Sequence, residues 1–458
     1  MYGTAVQLKI AELFLLFKKR QSETLIIHGH ESIHCLWNQI MRILLIGSGG
    51  REHALYEQLI KSPIVEEVKV LPGNGGIDPA DLLTNLSFDD NFSAIQDYVV
   101  SANIDLVVVG PEQPLVDGIT DALENHCLVF GPKKAAAQIE GSKSWARDFM
   151  ARHDIPSAKY QEFTNFDQAV AALDSFGPTF VIKADGLAAG KGVTVTSNKD
   201  EAIAALKAAL IENSFGNSGN KVLLEEFLPG KEASVFGICD GNRALLFQPA
   251  RDYKRALDND LGANTGGMGA VSPVEYIDSK LFAQIQTEIF DKAVAGFAKD
   301  GTPYKGLLYA GLMIYDGKAR IVEFNCRFGD PETQALLPLL EDDLAPLLLQ
   351  AASGRLYQDS LRFKAGVGLT VVIAANGYPG PYQKKIDLSK IDDSFNEGVH
   401  CFHAGTSRNN DSKLISSGGR IANVTATGAT IDEARKKVYS QLSHRSIDGT
   451  FYRTDIGL

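Results

Sequence analysis

The amino-acid sequence predicts a multi-domain α/β protein that begins with a parallel sheet. Short apolar strands alternate with helical segments over residues 41–140, and each strand is followed by glycine or proline. The 458 residues exceed one ordinary domain of about 100–200 residues. Because parallel strands gather their loops at their carboxyl ends, we expect ligand-binding loops along one edge of this sheet.

The composition is that of a globular protein, with 45% hydrophobic and 22% charged residues. A net charge of −11 argues against binding to a nucleic-acid backbone. The five cysteines form no C-x-x-C pair, which is typical of free thiols in a reducing compartment. No apolar run reaches the roughly 18–20 residues that span a bilayer. We therefore expect a cytoplasmic protein with neither nucleic-acid nor membrane partners. We also expect a monomer with small-molecule partners, although the composition does not determine either.

Residues 1–40 differ from the remainder of the chain. An apolar patch at 10–17 precedes the basic residues 18–20, which reverses the order found in a secretory signal. Met41 then opens the first clear strand. We expect 1–40 to be a non-essential extension or a mis-called start, and a membrane-surface or partner helix is the alternative.

The remaining chain divides into four predicted domains with bounds 41–141, 142–230, 231–360 and 366–458. Hydrophobic patterning predicts strands at 43–46, 68–71, 106–109, 128–130, 179–183, 193–197, 222–226, 233–238, 244–248, 307–315, 319–324, 367–374 and 420–425. Helices are predicted at 143–153, about 332–353, and 431–442.

A glycine-rich loop joins the first strand to the first helix over residues 47–53. Glu52 stands where a dinucleotide fingerprint requires glycine, so hydride transfer is not supported. Small residues still allow backbone N–H groups to approach a phosphate, although a tight turn that merely needs glycine is the alternative. Loops at 72–76 and 110–112 follow neighbouring strands, which favours a small phosphorylated ligand at this edge.

A second glycine-rich segment, residues 182–192, approaches the Walker A pattern without matching it. The spacing from Gly186 to Lys191 is one residue short, and Gly192 replaces the Ser/Thr that would hold magnesium. We expect Lys183 to contact the α and β phosphates of a nucleotide and Lys191 to close over the γ phosphate. Lys143 is a third candidate cation, although a single such lysine is more often a solvated charge.

Two acids, Glu225 and Glu226, end an apolar strand before a Pro-Gly turn. Acids in such a place need partners, which an adenine amino group and ribose hydroxyls would supply. A strand end that emerges into solvent is an equally good interpretation of this segment alone.

Residues 321–332 carry the strongest pattern. Glu323, Asn325 and Arg327 are expected to share one side of a strand, because alternate strand residues face the same way. The Glu and Asn oxygens suit Mg²⁺, which takes its other ligands from phosphates and water. Arg327 could clamp a phosphoryl or carboxylate group.

Eight segments in this order, and three beyond them, resemble the phosphoribosylamine–glycine ligase family of the ATP-grasp superfamily over residues 41–458. The matching segments are GSGGREHA (47–54), PGNGG (72–76), VGPEQPLVDG (109–118), GSK (141–143), IKADGLAAGKGV (182–193), EEFLPGKEAS (225–234), NTGGMGAVSP (264–273), EFNCRFGDPETQ (323–334), GYPG (377–380), FHAGT (402–406) and the ending at 455–457.

The resemblance implies a Rossmann-like N-terminal domain, an ATP-grasp lid (142–230), a central ATP-grasp domain (231–360) and a C-terminal α+β domain. It implies that ATP phosphorylates the glycine carboxylate, and that the amine of 5-phosphoribosylamine attacks the glycyl phosphate. The products would be glycinamide ribonucleotide, ADP and phosphate in purine (IMP) biosynthesis, with Mg²⁺ or Mn²⁺ as cofactor. Another ATP-grasp ligase or carboxylase and a non-catalytic nucleotide sensor are the alternatives.

The resemblance also implies a role for individual residues. The metal ligands are Glu323 and Asn325. The ATP contacts are Lys143, Lys183, Gly190, Lys191, Gly192, Glu225, Glu226, Leu228 and Glu232. The substrate contacts are Gly49, Gly50, Arg51, Glu52, Gly73, Asn74, Gly75, Gly110, Pro111, Glu112, Asp252, Asn264, Thr265, Gly266, Gly267, Arg327, Asp330, Pro331 and Glu332. The catalytic group comprises Lys191, Arg327 and Asp330. The chain departs from the family at Tyr253, where relatives usually carry histidine.

Overall fold

The computed structural model describes residues 40–89, 91–187, 192–392 and 395–458, without the side chains of residues 217 and 218. The extension at 1–39 lies outside the described residues, and so do Gly190 and Lys191 of the second glycine-rich segment. Among the described residues, no helix combines the length and apolar character needed to cross a membrane.

The N-terminal part forms the predicted parallel sheet, in the strand order β2–β1–β3–β4. Its strands are β1 (Met41–Gly47), β2 (Val65–Pro72), β3 (Leu106–Val109) and β4 (Leu128–Phe130). Its helices are α1 (Gly50–Leu59), α2 (Ser93–Ser101), α3 (Glu112–Asp117), α4 (Ile119–Leu123) and α5 (Lys134–Gly141), with a 3₁₀ turn at Pro79–Asp81. The loops after β1, β2 and β3 therefore lie at one edge of the sheet, as predicted.

The lid follows helix α6 (Lys143–Arg152) and has an antiparallel sheet in the order β5–β8–β6–β7. The strands are β5 (Tyr160–Phe163), β6 (Phe180–Ala184), β7 (Val193–Thr196) and β8 (Val222–Glu225). The helices are α7 (Phe166–Ala172) and α8 (Lys199–Leu210), with 3₁₀ turns at Leu173–Ser175 and Gly216–Gly219. Phe163, Ile182, Leu206 and Leu224 belong to a core cluster of the lid alone, so the lid is a separate layer.

The central antiparallel sheet has the order β10–β9–β15–β16. Its strands are β9 (Lys231–Asp240), β10 (Ala244–Leu246), β15 (Lys305–Tyr315) and β16 (Lys318–Asn325). Helices α9 (Ser279–Ile285) and α10 (Lys292–Lys299) flank a π-helical turn at Gln286–Asp291. The pairing of Gly311 with Glu323 and of Leu312 with Ile321 leaves Val322 as a β-bulge.

The C-terminal sheet has six strands and borrows two from the predicted central domain. Strands β11 (Arg251–Asp252) and β14 (Gly269–Ser272) extend a sheet made of β17 (Val367–Ala375), β21 (Arg420–Gly428), β18 (Val399–His403) and β22 (Thr450–Phe451). Two ribbons, β12–β13 (Arg255–Leu257, Leu261–Asn264) and β19–β20 (Thr406–Arg408, Leu414–Ser416), stand beside it. Helices α13 (Ser389–Asp392) and α14 (Ile431–His444) and a 3₁₀ turn at Asp258–Asp260 complete this part.

The single helix predicted over about 332–353 is wrong. The segment contains helix α11 (Glu332–Leu336), a 3₁₀ turn at Leu337–Leu339 and helix α12 (Leu344–Ser353). The Asp343 side chain accepts the N–H of Ala345 at 3.1 Å and so begins a new helix. Pro338 lacks an N–H, which also favours the break.

Candidate active site

The predicted metal ligands lie at the end of β16. Glu323 and Asn325 are two residues apart in the strand and share its face. No hydrogen bond or ion pair joins either side chain to another residue in the described part of the chain. That part also holds no group of three or more His, Cys, Asp or Glu residues suited to a metal. A divalent ion here would therefore take most ligands from phosphate and water.

The expectation that Arg327 continues the row of Glu323 and Asn325 is wrong, because β16 ends at Asn325. The Arg327 Nη2 donates to Glu140 Oε1 at 3.0 Å, and Nε lies 3.3 Å from Glu112 Oε2. Glu140 also accepts the N–H of Cys326 at 2.7 Å. Burial raises the pKa of the Glu140 carboxyl, against the opposing effect of Arg327. Two carboxylates thus hold the arginine just beyond the end of strand β16.

Lys183 and Glu225 form a buried ion pair between β6 and β8. Lys183 Nζ lies 2.8 Å from Glu225 Oε2 and donates to the carbonyl of Val322 at 3.0 Å. Arg147 holds the same carboxylate through Nε at 2.7 Å and Nη2 at 2.6 Å. Burial opposes ionisation, but Lys183 and Arg147 lower the pKa of Glu225 overall. Both carboxylate oxygens of Glu225 therefore have protein partners, so its burial does not by itself require a nucleotide.

Glu226, the second acid, is not a solvated strand end either. Arg320 binds its carboxylate through Nη1 at 3.0 Å and Nη2 at 2.7 Å. The hydrogen bond with Arg320 is the main cause that lowers the pKa of Glu226 to about 2. The neighbouring Leu228 side chain is buried.

Lys143 begins helix α6 and lies against the second glycine-rich segment. Its Nζ donates to the carbonyl of Gly186 at 2.8 Å, and burial lowers the pKa of the ammonium group. Asp185 accepts the N–H of Ser144 at 3.1 Å, which ties the segment to the helix start. The carbonyl of Gly192 accepts the N–H of Ala184 at 2.8 Å. The fold therefore places Lys143 and Lys183 on one side of the site.

A carboxylate cluster lies on β9, β11 and the start of α11, in which Asp252 and Glu332 are buried and Glu232 is exposed. Lys254 Nζ contacts Asp252 at 2.8 Å and Glu232 at 3.0 Å. Ser234 Oγ donates to Glu332 Oε1 at 3.0 Å. Burial, and then the charge of Asp252, raises the pKa of Glu332 to about 7. Glu232, an expected ATP contact, thus lies near Asp252 and Glu332, two expected substrate contacts.

Glu52 closes the first glycine-rich loop through contacts with Gly49 and Arg51. Glu52 Oε2 accepts the N–H of Gly49 at 2.6 Å, and the other oxygen of Glu52 pairs with Arg51. Arg51 Nη1 donates to the carbonyl of Phe328 at 3.0 Å. A Cβ at Gly110 would lie 2.0 Å from Glu52 Oε1, so only glycine permits this approach. The loops at 49–52 and 110–112 therefore meet the segment that follows strand β16.

The second glycine loop contacts the C-terminal domain. Asn74 Nδ2 donates to the carbonyls of Ser48 at 3.0 Å and His403 at 2.8 Å. Gly75 N–H donates to the carbonyl of Thr406 at 3.1 Å, and Gly73 N–H to the carbonyl of Gly47 at 3.1 Å. The segment FHAGT that pointed to the family thus supports the loop at 73–76.

Asp330 and the turn at 264–267 meet at Arg420, which the sequence did not single out. Arg420 Nη2 lies 3.4 Å from Asp330 Oδ2, and Nη1 donates to the carbonyl of Gly266 at 2.8 Å. Thr265 Oγ1 accepts the N–H of Gly267 at 3.0 Å, and Asn264 is exposed. The remaining expected contacts start helices or pack on this turn: Gly50 starts α1, Pro111 precedes α3, and Pro331 packs on Gly267.

Tyr253, which replaces the family histidine, is a core residue. Its ring packs in the C-terminal hydrophobic cluster, and its hydroxyl accepts the N–H of Gly457 at 3.0 Å. Arg147, Arg320, Glu140 and Arg420 are the site residues that sequence reasoning missed. Their partners lie far away in the chain, and no local motif marks them.

Three family models match the chain in succession. They are described as the phosphoribosylglycinamide synthetase N domain over residues 41–140, the ATP-grasp (A) domain over 141–333 and the C domain over 368–458. Phosphoribosylamine–glycine ligase from Mesorhizobium japonicum is 47% identical over 418 residues, which cover 91% of this chain and 98% of that protein. The Leptospira interrogans protein of the same name is 46% identical over 422 residues, with shares of 91% and 98%.

Solved structures give the same result. Phosphoribosylamine–glycine ligase from Thermotoga maritima superposes with a TM-score of 0.79 at 34% identity, covering 91% of this chain and 100% of that one. The biotin carboxylase domain of Hydrogenobacter thermophilus 2-oxoglutarate carboxylase has a TM-score of 0.66 at 16% identity, with shares of 90% and 92%. The latter likeness shows the shared ATP-grasp fold alone. The three domain matches and the near-complete coverage of these relatives show that the chain belongs to the phosphoribosylamine–glycine ligase family of ATP-grasp enzymes.

Proposed function

We propose that this chain ligates glycine to 5-phosphoribosylamine at the expense of ATP, giving glycinamide ribonucleotide, ADP and phosphate in purine biosynthesis. The observation that carries the proposal is the state of Glu323 and Asn325. The acids around them, Glu140, Glu225 and Glu226, are all paired with arginine or lysine, whereas Glu323 and Asn325 are not paired within the described chain. Free oxygens beside Lys143 and Lys183 suit a metal-bound polyphosphate.

The reaction consists of two substitutions. A carboxylate oxygen of glycine attacks the γ phosphorus of ATP, and ADP leaves. The amine of phosphoribosylamine then attacks the carbonyl carbon of glycyl phosphate, and phosphate leaves with the original carboxylate oxygen. The chain supplies positioning and charge, without a nucleophilic side chain.

Each part of the site has a proposed role. Lys143 and Lys183, with Gly190, Lys191 and Gly192, hold the ATP phosphates. The loops at 49–52, 73–75 and 110–112, with the turn at 264–267 and residues 330–332, hold phosphoribosylamine and glycine. Lys191, Arg327 and Asp330 contact the reacting groups. The acid Glu232 and the buried Leu228 line the adenosine, and Asp252 lies on the substrate side.

The donor set fits Mg²⁺ or Mn²⁺. One carboxylate and one amide oxygen are hard donors, and the neighbouring lysines favour a ligand that carries several negative charges. Glu323 and Asn325 would hold the ion. When bound, it would neutralise charge on the transferred phosphoryl group.

We propose further that the enzyme acts in the cytoplasm as a monomer without nucleic-acid or membrane partners. The net charge of −11 and the unpaired cysteines among the described residues support this setting.

Measurement of ADP release with single and paired substrates tests the proposed function. The purified chain should release ADP only when glycine and phosphoribosylamine are both present. Release that follows bicarbonate instead would favour an ATP-grasp carboxylase, and nucleotide binding without any release would favour a sensor.

A further inference from the structure

The chain enters and leaves the lid through two adjacent segments. Strand β5 begins at Tyr160, which pairs with Glu225 at the end of β8. Just outside the lid sheet, Glu226 N–H donates to the carbonyl of Lys159 at 2.9 Å, and Lys159 N–H donates to Glu226 Oε2 at 3.1 Å. Because the lid has its own core, these two segments form its hinge.

Arg320, on the metal strand β16, grips both segments of this hinge. Its guanidinium binds the Glu226 carboxylate with two bonds, at 3.0 and 2.7 Å. Its Nη2 also donates to the carbonyl of Ser157 at 2.7 Å. The next residue, Ile321, donates its N–H to the carbonyl of Pro156 at 2.8 Å. The strand that carries Glu323 is thus bonded directly to both hinge segments.

Arg147, on helix α6, joins the end of lid strand β8 to strand β16 from the buried side. It binds Glu225 with two bonds and donates to the carbonyl of Val322 at 2.8 Å and that of Ile321 at 3.3 Å. Val322, whose carbonyl accepts from Arg147 Nη2, is the bulge residue of β16. Lys183 Nζ donates to the same carbonyl at 3.0 Å.

We infer that Arg147 and Arg320 are positioning residues that fix the lid hinge to the metal strand. The carboxylates of Glu225 and Glu226 serve this hinge. The inference rests on the proposed function, because it concerns the placement of ATP phosphates against glycine. A few short hydrogen bonds thus connect Lys183 of the lid with the strand of the central sheet that carries Glu323.

Bidentate pairing with arginine is the physical reason for assigning these two carboxylates to the hinge. An arginine fork occupies both carboxylate oxygens in one plane, so an adenine amino group would have to compete with a cation for them. A shift of the hinge would move the lid lysine relative to the metal strand. A displacement of about 1 Å of reacting groups lowers a rate by about 100-fold, so loss of either partner should act on turnover.

A double-mutant cycle on the half-exposed pair tests this inference. The variants are Arg320→Gln, Glu226→Gln and the double variant, with kcat, KM for ATP and the ratio of kcat/KM for ATP and GTP measured for each. Arg408 and Asp392 form the matched control, because they also pair through two bonds, at 3.0 and 2.8 Å. Their side-chain exposures of 34% and 36% are close to those of the hinge pair, 35% and 35%.

Each single hinge variant should lower kcat by about tenfold or more, and the double variant should be no worse than the worse single variant. The preference for ATP over GTP should stay unchanged, and Asp392→Asn should resemble the wild type. The inference is overturned if the effects multiply, if neither variant slows turnover, or if Glu226→Gln alone alters ATP binding and the preference.

Hydrogen exchange gives a readout that is independent of turnover. Both single variants should speed exchange at the amides of Ile321 and Glu226, which bond across the hinge, whereas Asp392→Asn should not. Unchanged exchange at both amides overturns the inference. An inactive wild type with these exchange changes would contradict the proposed function and leave the hinge supported.

Discussion

Glu140 holds Arg327 and the main chain of the preceding residue with one carboxylate: Oε1 accepts from Arg327 Nη2 at 3.0 Å, and Oε2 accepts from Cys326 N–H at 2.7 Å. Glu140 lies at the end of helix α5, one turn of chain before Lys143. The pair therefore connects the end of helix α5 to the segment that follows strand β16.

Glu140→Ala should lower the free energy of unfolding by about 3–5 kcal/mol, because Arg327 would remain buried without one of its partners. The control is Glu124→Ala, which removes an exposed ion pair with Lys133 and should cost about 1 kcal/mol or less. Urea denaturation of both variants measures the difference. Equal small losses would show that the Glu140 pair does not stabilise the fold.

Replacement of either free oxygen donor should abolish turnover without unfolding. Glu323→Ala and Asn325→Ala remove the two proposed metal ligands, so ADP formation with glycine and phosphoribosylamine should stop. The control is Lys318→Ala, at the exposed start of the same strand, which should keep wild-type turnover. Circular dichroism checks the fold, and normal turnover in either ligand variant would refute the metal assignment.

The buried imidazole of His53 should make stability depend on acid. Burial lowers the pKa of His53 to about 4, and its Nδ1 accepts the N–H of His403 at 2.8 Å. Below an unfolded pKa of about 6.5, the unfolded chain gains a proton that the native chain does not. The free energy of unfolding therefore decreases as the pH is lowered.

His53→Asn keeps an acceptor and lacks the titration. Between pH 6.5 and pH 5 the wild type should lose roughly 2 kcal/mol more stability than this variant. Urea denaturation at the two pH values measures the gap. Parallel losses in both proteins would show that His53 does not titrate in this manner.

Glu332 should have the opposite pH dependence. Burial and Asp252 raise its pKa to about 7, so the native state keeps a proton that the unfolded state releases above about pH 4.5. The stabilisation that this proton gives to the native state is complete below that pH and is lost as the pH rises toward 7. Glu332→Gln should therefore gain stability relative to the wild type from pH 5 to pH 8, and a constant difference would contradict the raised pKa.

Local pattern predicted what depends on neighbouring residues. The strands from Met41 to Phe130 follow from hydrophobic runs and turn residues, and the shared face of Glu323 and Asn325 follows from strand alternation. Pattern could not predict partners from distant segments. Arg147 lies 78 residues from Glu225, and Arg320 lies 94 residues from Glu226.

The two structural errors have the same origin. Strand alternation continued past Asn325 predicts Arg327 in the row of Glu323 and Asn325, whereas the contacts with Glu112 and Glu140 set its position. The leucines around Asp343 fit a helical period and so predict one helix over about 332–353. In both places, acidic side chains at the ends of helices determine the structure: Glu112 and Glu140 for Arg327, and Asp343 for the break in the helix.

Transfer of isotope from glycine to phosphate tests the central claim most directly. With [¹⁸O]carboxylate-labelled glycine, ATP and phosphoribosylamine, the released phosphate should carry one ¹⁸O atom for each turnover, as measured by mass spectrometry. That oxygen can reach phosphate only if the carboxylate attacked the γ phosphorus and left again with it. Unlabelled phosphate accompanied by ADP formation would contradict activation of glycine as glycyl phosphate.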